Sequence, residues 1–160
     1  MNNPKGNAAP NASGRPKSRT VSLTLSISRL MLPLVQRIVQ DIVDGTRKLA
    51  ILTPQLSELD RNRRALHWTD RQRRYQIRES LEAEKDNLRE ARAELNALGV
   101  GCVDEAAGLV IFPTEVDRKR AYFSWQLGED NIRFWHFTGE STRRRIPPHW
   151  ATEEPSATKA

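Results

Sequence analysis

The chain has a single cysteine, Cys102, and no second thiol to pair with it. That excludes an internal disulfide framework and any multi-cysteine zinc site. It also points to a reducing compartment, so a cytoplasmic location is expected. No apolar run approaches the roughly eighteen residues that a membrane span needs, and no membrane partner is expected. Basic residues precede Val21–Ile27 as they do in a secretory leader, but that run alternates polar with apolar and Arg29 interrupts its continuation. Glycine-rich phosphate loops and nucleophile elbows are missing, so neither a cofactor nor a catalytic residue is expected from motif. A metal on His136 would need His149, Cys102, Asp104 or Glu140 beside it, and these share no ligand spacing. Cys102 would be a nucleophile only with a base next to it.

Acid is missing where base is concentrated. Residues 1–20 hold four positive charges and no carboxylate, and residues 60–78 hold seven arginines against Asp60 and Asp70. Residues 79–140 reverse the balance, with seven basic against thirteen acidic side chains, or −6 within a chain of net +6. Apart from Met1 the first 20 residues also contain no large hydrophobe, and cannot offset their ordering entropy; a disordered basic tail is expected there.

What the chain does have is helical period. Leu81, Leu88 and Leu95 recur every seven residues, with Ile77, Ala91 and Leu98 between them and Glu84 interrupting. This draws one apolar stripe along Thr69–Gly99, with an N-cap oxygen at Thr69 or Asp70 and a left-handed stop at Gly99. A stripe so narrow requires a partner helix. Leu30, Leu34, Ile38, Ile42, Leu49, Leu52, Leu56 and Leu59 supply it, from an N-cap at Thr24. Pro33 should kink this first helix and Pro54 could divide it, while Gly45 weakens it by about 1 kcal/mol relative to alanine. The two helices form a long antiparallel hairpin over about 25–98, turning at Arg61–Thr69.

After Gly99 the period changes to two. Leu109–Phe112, Ala121–Gln126 and Ile132–Phe137 read as strands, and Val100–Val103 as a short edge strand. Adjacent in sequence, they favour an antiparallel meander over about 100–138, so the class is α+β. A loose tail is expected over 149–160, leaving a single domain over 21–148.

Three surfaces are candidates for function. Arg61, Arg63, Arg64, Arg71, Arg73 and Arg74, with Trp68 between them, suit phosphates and unpaired bases, so nucleic acid is one possible partner. The alternative is a solvated helix end whose arginines pair with Asp60, Asp70 and Glu79. The sheet aromatics are mostly core, but Trp125, Glu129, Trp135 and His136 with Arg143, Arg144 and Arg145 would frame an enzyme or small-ligand site if one sheet face is open. Finally, Val35, Val39, Val43 and Ile51 widen the first helix's apolar arc beyond one seam, which favours a homodimer.

From Leu23 onward the chain resembles a bacterial family known as domain of unknown function 2203. The likeness rests on Leu23-Thr24, Leu32-Pro33-Leu34-Val35, Leu98-Gly99-Val100, Asp104, Gly108-Leu109-Val110 and Phe112-Pro113. It continues through Trp125-Gln126-Leu127-Gly128-Glu129, Ile132, Trp135-His136 and the arginines before Ile146-Pro147. Two positions depart from the family pattern: Ile111 stands where an acid is usual, and Ser28-Arg29 where Ala-Asn is usual. The resemblance implies the architecture and no particular chemistry. The reading that follows is a non-enzymatic interaction module that self-associates through its hairpin; nucleic-acid binding is the alternative, and an enzyme or ligand binder using the sheet face is the second alternative.

Overall fold

A computed structural model describes residues 21–152. The expected basic tail over 1–20 and the end beyond 152 lie outside the described residues.

Thr24 begins α1 (Leu25–Arg61) as expected, its Oγ1 accepting the Ile27 N–H at 3.2 Å. Neither proline divides the helix, which runs 37 residues through both Pro33 and Pro54. Both ring positions are exposed, so the carbonyl that each proline leaves without a donor can turn to water. The second helix, α2 (Trp68–Ala97), starts two or three residues earlier than a Thr69 or Asp70 cap predicts. His67 is its N-cap, and no side chain caps it. Its end matches the expectation. Gly99 has φ +77°, Gly99 N–H donates to Asn96 and Val100 N–H to Leu95, which closes the helix in a Schellman arrangement.

Five strands follow: β1 (Gly101–Asp104), β2 (Leu109–Val116), β3 (Lys119–Gln126), β4 (Phe134–Phe137) and β5 (Arg144–Arg145). They form an antiparallel meander in the order β1-β2-β3-β4-β5. The class is therefore α+β, two packed helices followed by an antiparallel sheet. The fifth strand carries the sheet past the expected limit near residue 138, because Phe134 and Trp135 leave an edge on which Arg145 and Arg144 pair. Pro148–Ala151 then form a 3-10 turn where a loose tail was expected from residue 149. Trp150 anchors it, its ring centroid 5.0 Å from that of Trp135.

Alternation along β2, β3 and β4 puts Val110, Phe112, Ala121, Phe123, Trp125 and Trp135 on the inner face. They join one apolar cluster with Leu32, Val35, Val39, Ile42 and Val43 of α1 and with Leu88, Ala91 and Leu95 of α2. Gly108 marks how close sheet and helix come: a Cβ there would lie 3.0 Å from Val39 and 3.1 Å from Val43. Of the arc that suggested a homodimer, Val35, Val39 and Val43 are thus covered within the chain's own core, while Ile51 stays 53% exposed on the arm beyond it. The cluster stops near Gly45 and Leu88. Beyond it the two helices continue with no other element beside them among the described residues, to Arg61 and Trp68, an arm that projects roughly 25 Å at 1.5 Å per residue. Along this arm Leu66, Ile77 and Leu81 are buried outside the main cluster, and Leu52, Leu56 and Leu59 only half-buried. None of the helices among the described residues is long and apolar enough to cross a membrane.

Candidate functional site

The sheet aromatics are mostly core, as expected, and the residues named for a site on the sheet are not all brought to one face. Trp125 and Trp135 point inward and are buried in the core. Trp125 Nε1 donates to the Glu129 carbonyl at 2.9 Å, which shapes the Leu127-Gly128-Glu129 turn. The outer face carries Tyr122, Ser124, Phe134 and His136, register partners across β3 and β4. Arg143 lies over it. Its guanidinium sits 4.3 Å from the Phe134 ring centroid, donates from Nε to Ser124 Oγ at 2.8 Å, and forks onto both Glu129 oxygens at 2.8 and 2.9 Å.

The electrostatics follow from that contact. Burial opposes ionisation of Glu129, but the hydrogen bonds from Arg143 and from the Gln126 N–H outweigh it and hold the carboxyl below its ordinary range. His136 moves the same way for another reason: burial disfavours the imidazolium, and the nearby Arg143 charge adds to this against the pull of Glu140. Its Nδ1 is buried without a partner, and its ring lies 5.6 Å from that of Tyr122. Arg144 is engaged by Glu140 at 2.8 Å and lies over Trp135 and Phe137. Of the seven residues proposed for this surface, only Arg145 is both exposed and without an ion-pair partner among the described residues. Arg143 has every nitrogen committed, so it holds the sheet together and has little capacity left for a ligand.

Cys102 is a poor nucleophile here. Burial raises its thiol pKa, and the charges of Glu105 and Asp104 push the same way. The adjacent Glu105 is held below its usual range chiefly by a bidentate contact with Arg92, at 2.6 and 2.7 Å. No group of His, Cys, Asp and Glu among the described residues is arranged to hold a metal ion.

The arginine-rich turn, by contrast, is brought to one place: the free end of the arm. Its arginines divide into two sets. Arg74 is buried and pairs with Asp60, which also lies 4.0 Å from Arg78. Arg61 meets Glu58 at 3.1 Å, and Arg71 Nε donates to the Leu66 carbonyl. Arg63, Arg64 and Arg73 are exposed and have no ion-pair partner among the described residues. Neither Asp70 nor Glu79 neutralises an arginine, so the solvated-end reading holds for Asp60 alone. The sequence reading missed Tyr75. It is 64% exposed, two turns along α2 from Trp68, which is 75% exposed. The signal was available, since a separation of seven residues returns to the same helix face. Arg63, Leu66, Arg71, Arg74 and Tyr75 line a concavity of about 210 Å³ there.

No curated protein and no solved structure matches the chain. One family does, described as an uncharacterized conserved protein (DUF2203), and it matches residues 23–147, well over half of the 160. Its span begins at the extended residue whose N–H bonds Pro113 and ends just past the β5 arginines, so it takes in the hairpin and the whole sheet. The chain belongs to the DUF2203 family.

Proposed function

We propose that the chain is a non-catalytic interaction module that self-associates through the outward face of α1. The observation that carries this reading is a stripe of three large hydrophobes, Ile27, Leu30 and Leu34, left uncovered on one face of the helix. Leu30 is 82% exposed, and the other two are about half exposed. A single exposed leucine is ordinary, but three at i, i+3 and i+7 make a continuous apolar strip. The core takes Val35, Val39 and Val43, so this strip replaces the valine arc as the surface for a second copy. An antiparallel pairing centred on Leu34 would lay Leu30 along the aliphatic stem of Arg37 from the second copy, with no like charges facing one another. The commitment of Arg143 and Glu129 to each other favours a binding role over a catalytic one.

Sedimentation of the full chain across the micromolar range tests this. The wild-type chain is expected to show a concentration-dependent rise in mass, and Leu30→Lys to abolish it without lowering the melting temperature. A wild-type chain that stays monomeric throughout refutes the reading.

A further inference from the structure

We infer that the tip of the arm is a binding site for single-stranded nucleic acid. The inference goes beyond self-association and uses the opposite end of α1, so the two stand or fall separately. Residues 60–78 carry seven arginines against two acids, a net of +5, on a projection with no sheet beside it. Charge alone would suit any polyanion. What selects a strand with unpaired bases is the order of side chains along α2. Trp68, Arg71, Tyr75 and Arg78 follow at intervals of three, four and three residues, so aromatics and arginines alternate down one helix face.

The two rings are exposed and about 10.5 Å apart along the axis, two helical turns. That is roughly three base-stacking rises of 3.4 Å, so the rings would take bases two or three nucleotides apart, with the intervening phosphate over Arg71. Arg71 is preset for this: its Nε is fixed by the Leu66 carbonyl at 3.0 Å, which leaves its two terminal nitrogens for an anion. The concavity between Arg63, Arg71 and Tyr75 gives the phosphate a seat with an aromatic wall. Arg64, exposed and without an ion-pair partner among the described residues, follows Arg63 in the turn and adds charge at the tip. The first turn of α2 has no side-chain cap, so its N–H groups and the positive end of its dipole also face the tip. A duplex would offer phosphates but no ring faces to Trp68 and Tyr75, because its bases are already stacked on one another.

The test is fluorescence anisotropy with the full chain and labelled oligothymidylate or oligouridylate, with a matched duplex, polyphosphate and polyglutamate as competitors. Single strands are expected to bind, and the duplex to compete poorly. Affinity should fall with salt, and replacing Arg63 and Arg64 together by Gln should reduce the log–log slope by about 1.4, at roughly 0.7 per phosphate contact. Trp68→Ala and Tyr75→Ala should each weaken the oligonucleotide about five- to a hundredfold while leaving polyphosphate unaffected. Trp68→Phe should restore most of the loss, which a folding defect would not permit. A preference between the two oligonucleotides supports the proposal either way. Failure to bind any single strand at low salt overturns it. So does binding unchanged by the tip substitutions, which would place the contact in the basic residues 1–20. Equal capture of polyglutamate, indifferent to Trp68, overturns it in favour of an acidic protein surface.

Discussion

Gly45 and Leu88 should be energetically coupled, with a reversal of sign that few other contacts would produce. Gly45 is buried mid-helix in α1, directly against α2. A Cβ added there would lie 3.0 Å from both Cγ and Cδ2 of Leu88 and 2.8 Å from Glu84 Oε1. Glu84 can yield, since its partner is the exposed Lys48 at 3.5 Å. Leu88 cannot, being 2% exposed within the core cluster. Gly45→Ala therefore gains about 0.9 kcal/mol of helix propensity but incurs an overpacking cost of about 1–3 kcal/mol, for a net loss of up to about 2. Leu88→Ala removes three buried carbons, about 2.4 kcal/mol at 0.8 each. The glycine opposite has no side chain to move into the void, which puts the total at about 3–5 kcal/mol. In the Leu88→Ala background the clash is gone, so Gly45→Ala should stabilise by about 1 kcal/mol, and the coupling across the cycle should reach about 1–3 kcal/mol. Urea unfolding of the four proteins, followed by circular dichroism, measures it. Effects additive to within about 0.5 kcal/mol would show that the helices do not meet as described.

The β2–β3 turn offers a stabilising change. Asp117 and Arg118 both occupy the left-handed region, at φ 51° and 60°, where a two-residue hairpin turn favours Asn-Gly. Arg118→Gly should raise stability by roughly 1 kcal/mol, and an unchanged or lower unfolding midpoint would contradict that. Glu129→Gln tests the sheet-face ion pair through pH. The folded carboxyl is held below its ordinary value, so the stability it contributes is present above the unfolded pKa and is lost as pH falls through the folded one. Wild type should exceed the variant at pH 7, and the difference should shrink below about pH 4.5; a gap that persists undiminished to pH 2 would exclude the pair as its source.

Much of the architecture was legible because it depends on neighbours in the chain. The seven-residue leucine repeat of α2, the Thr24 cap, the Gly99 stop and the two-residue alternation of the strands are local consequences of helical and strand periods. Pro54 was read as a possible break because sequence shows the missing donor but not whether the freed carbonyl can reach water. Other features were decided only by tertiary contact. The apolar arc of α1 is wider than any one partner covers, and period cannot say which edge is left over. The sheet took Val35, Val39 and Val43 and left Leu30 and Leu34 outside. Arg143 meets Glu129 across fourteen residues, so its saturation could not be read from three consecutive arginines. The arm tip lies between these cases. Its charge and the Trp68–Tyr75 spacing are written in the sequence, but exposure requires that no other element fold back over residues 61–75, and that is a property of where the sheet stops.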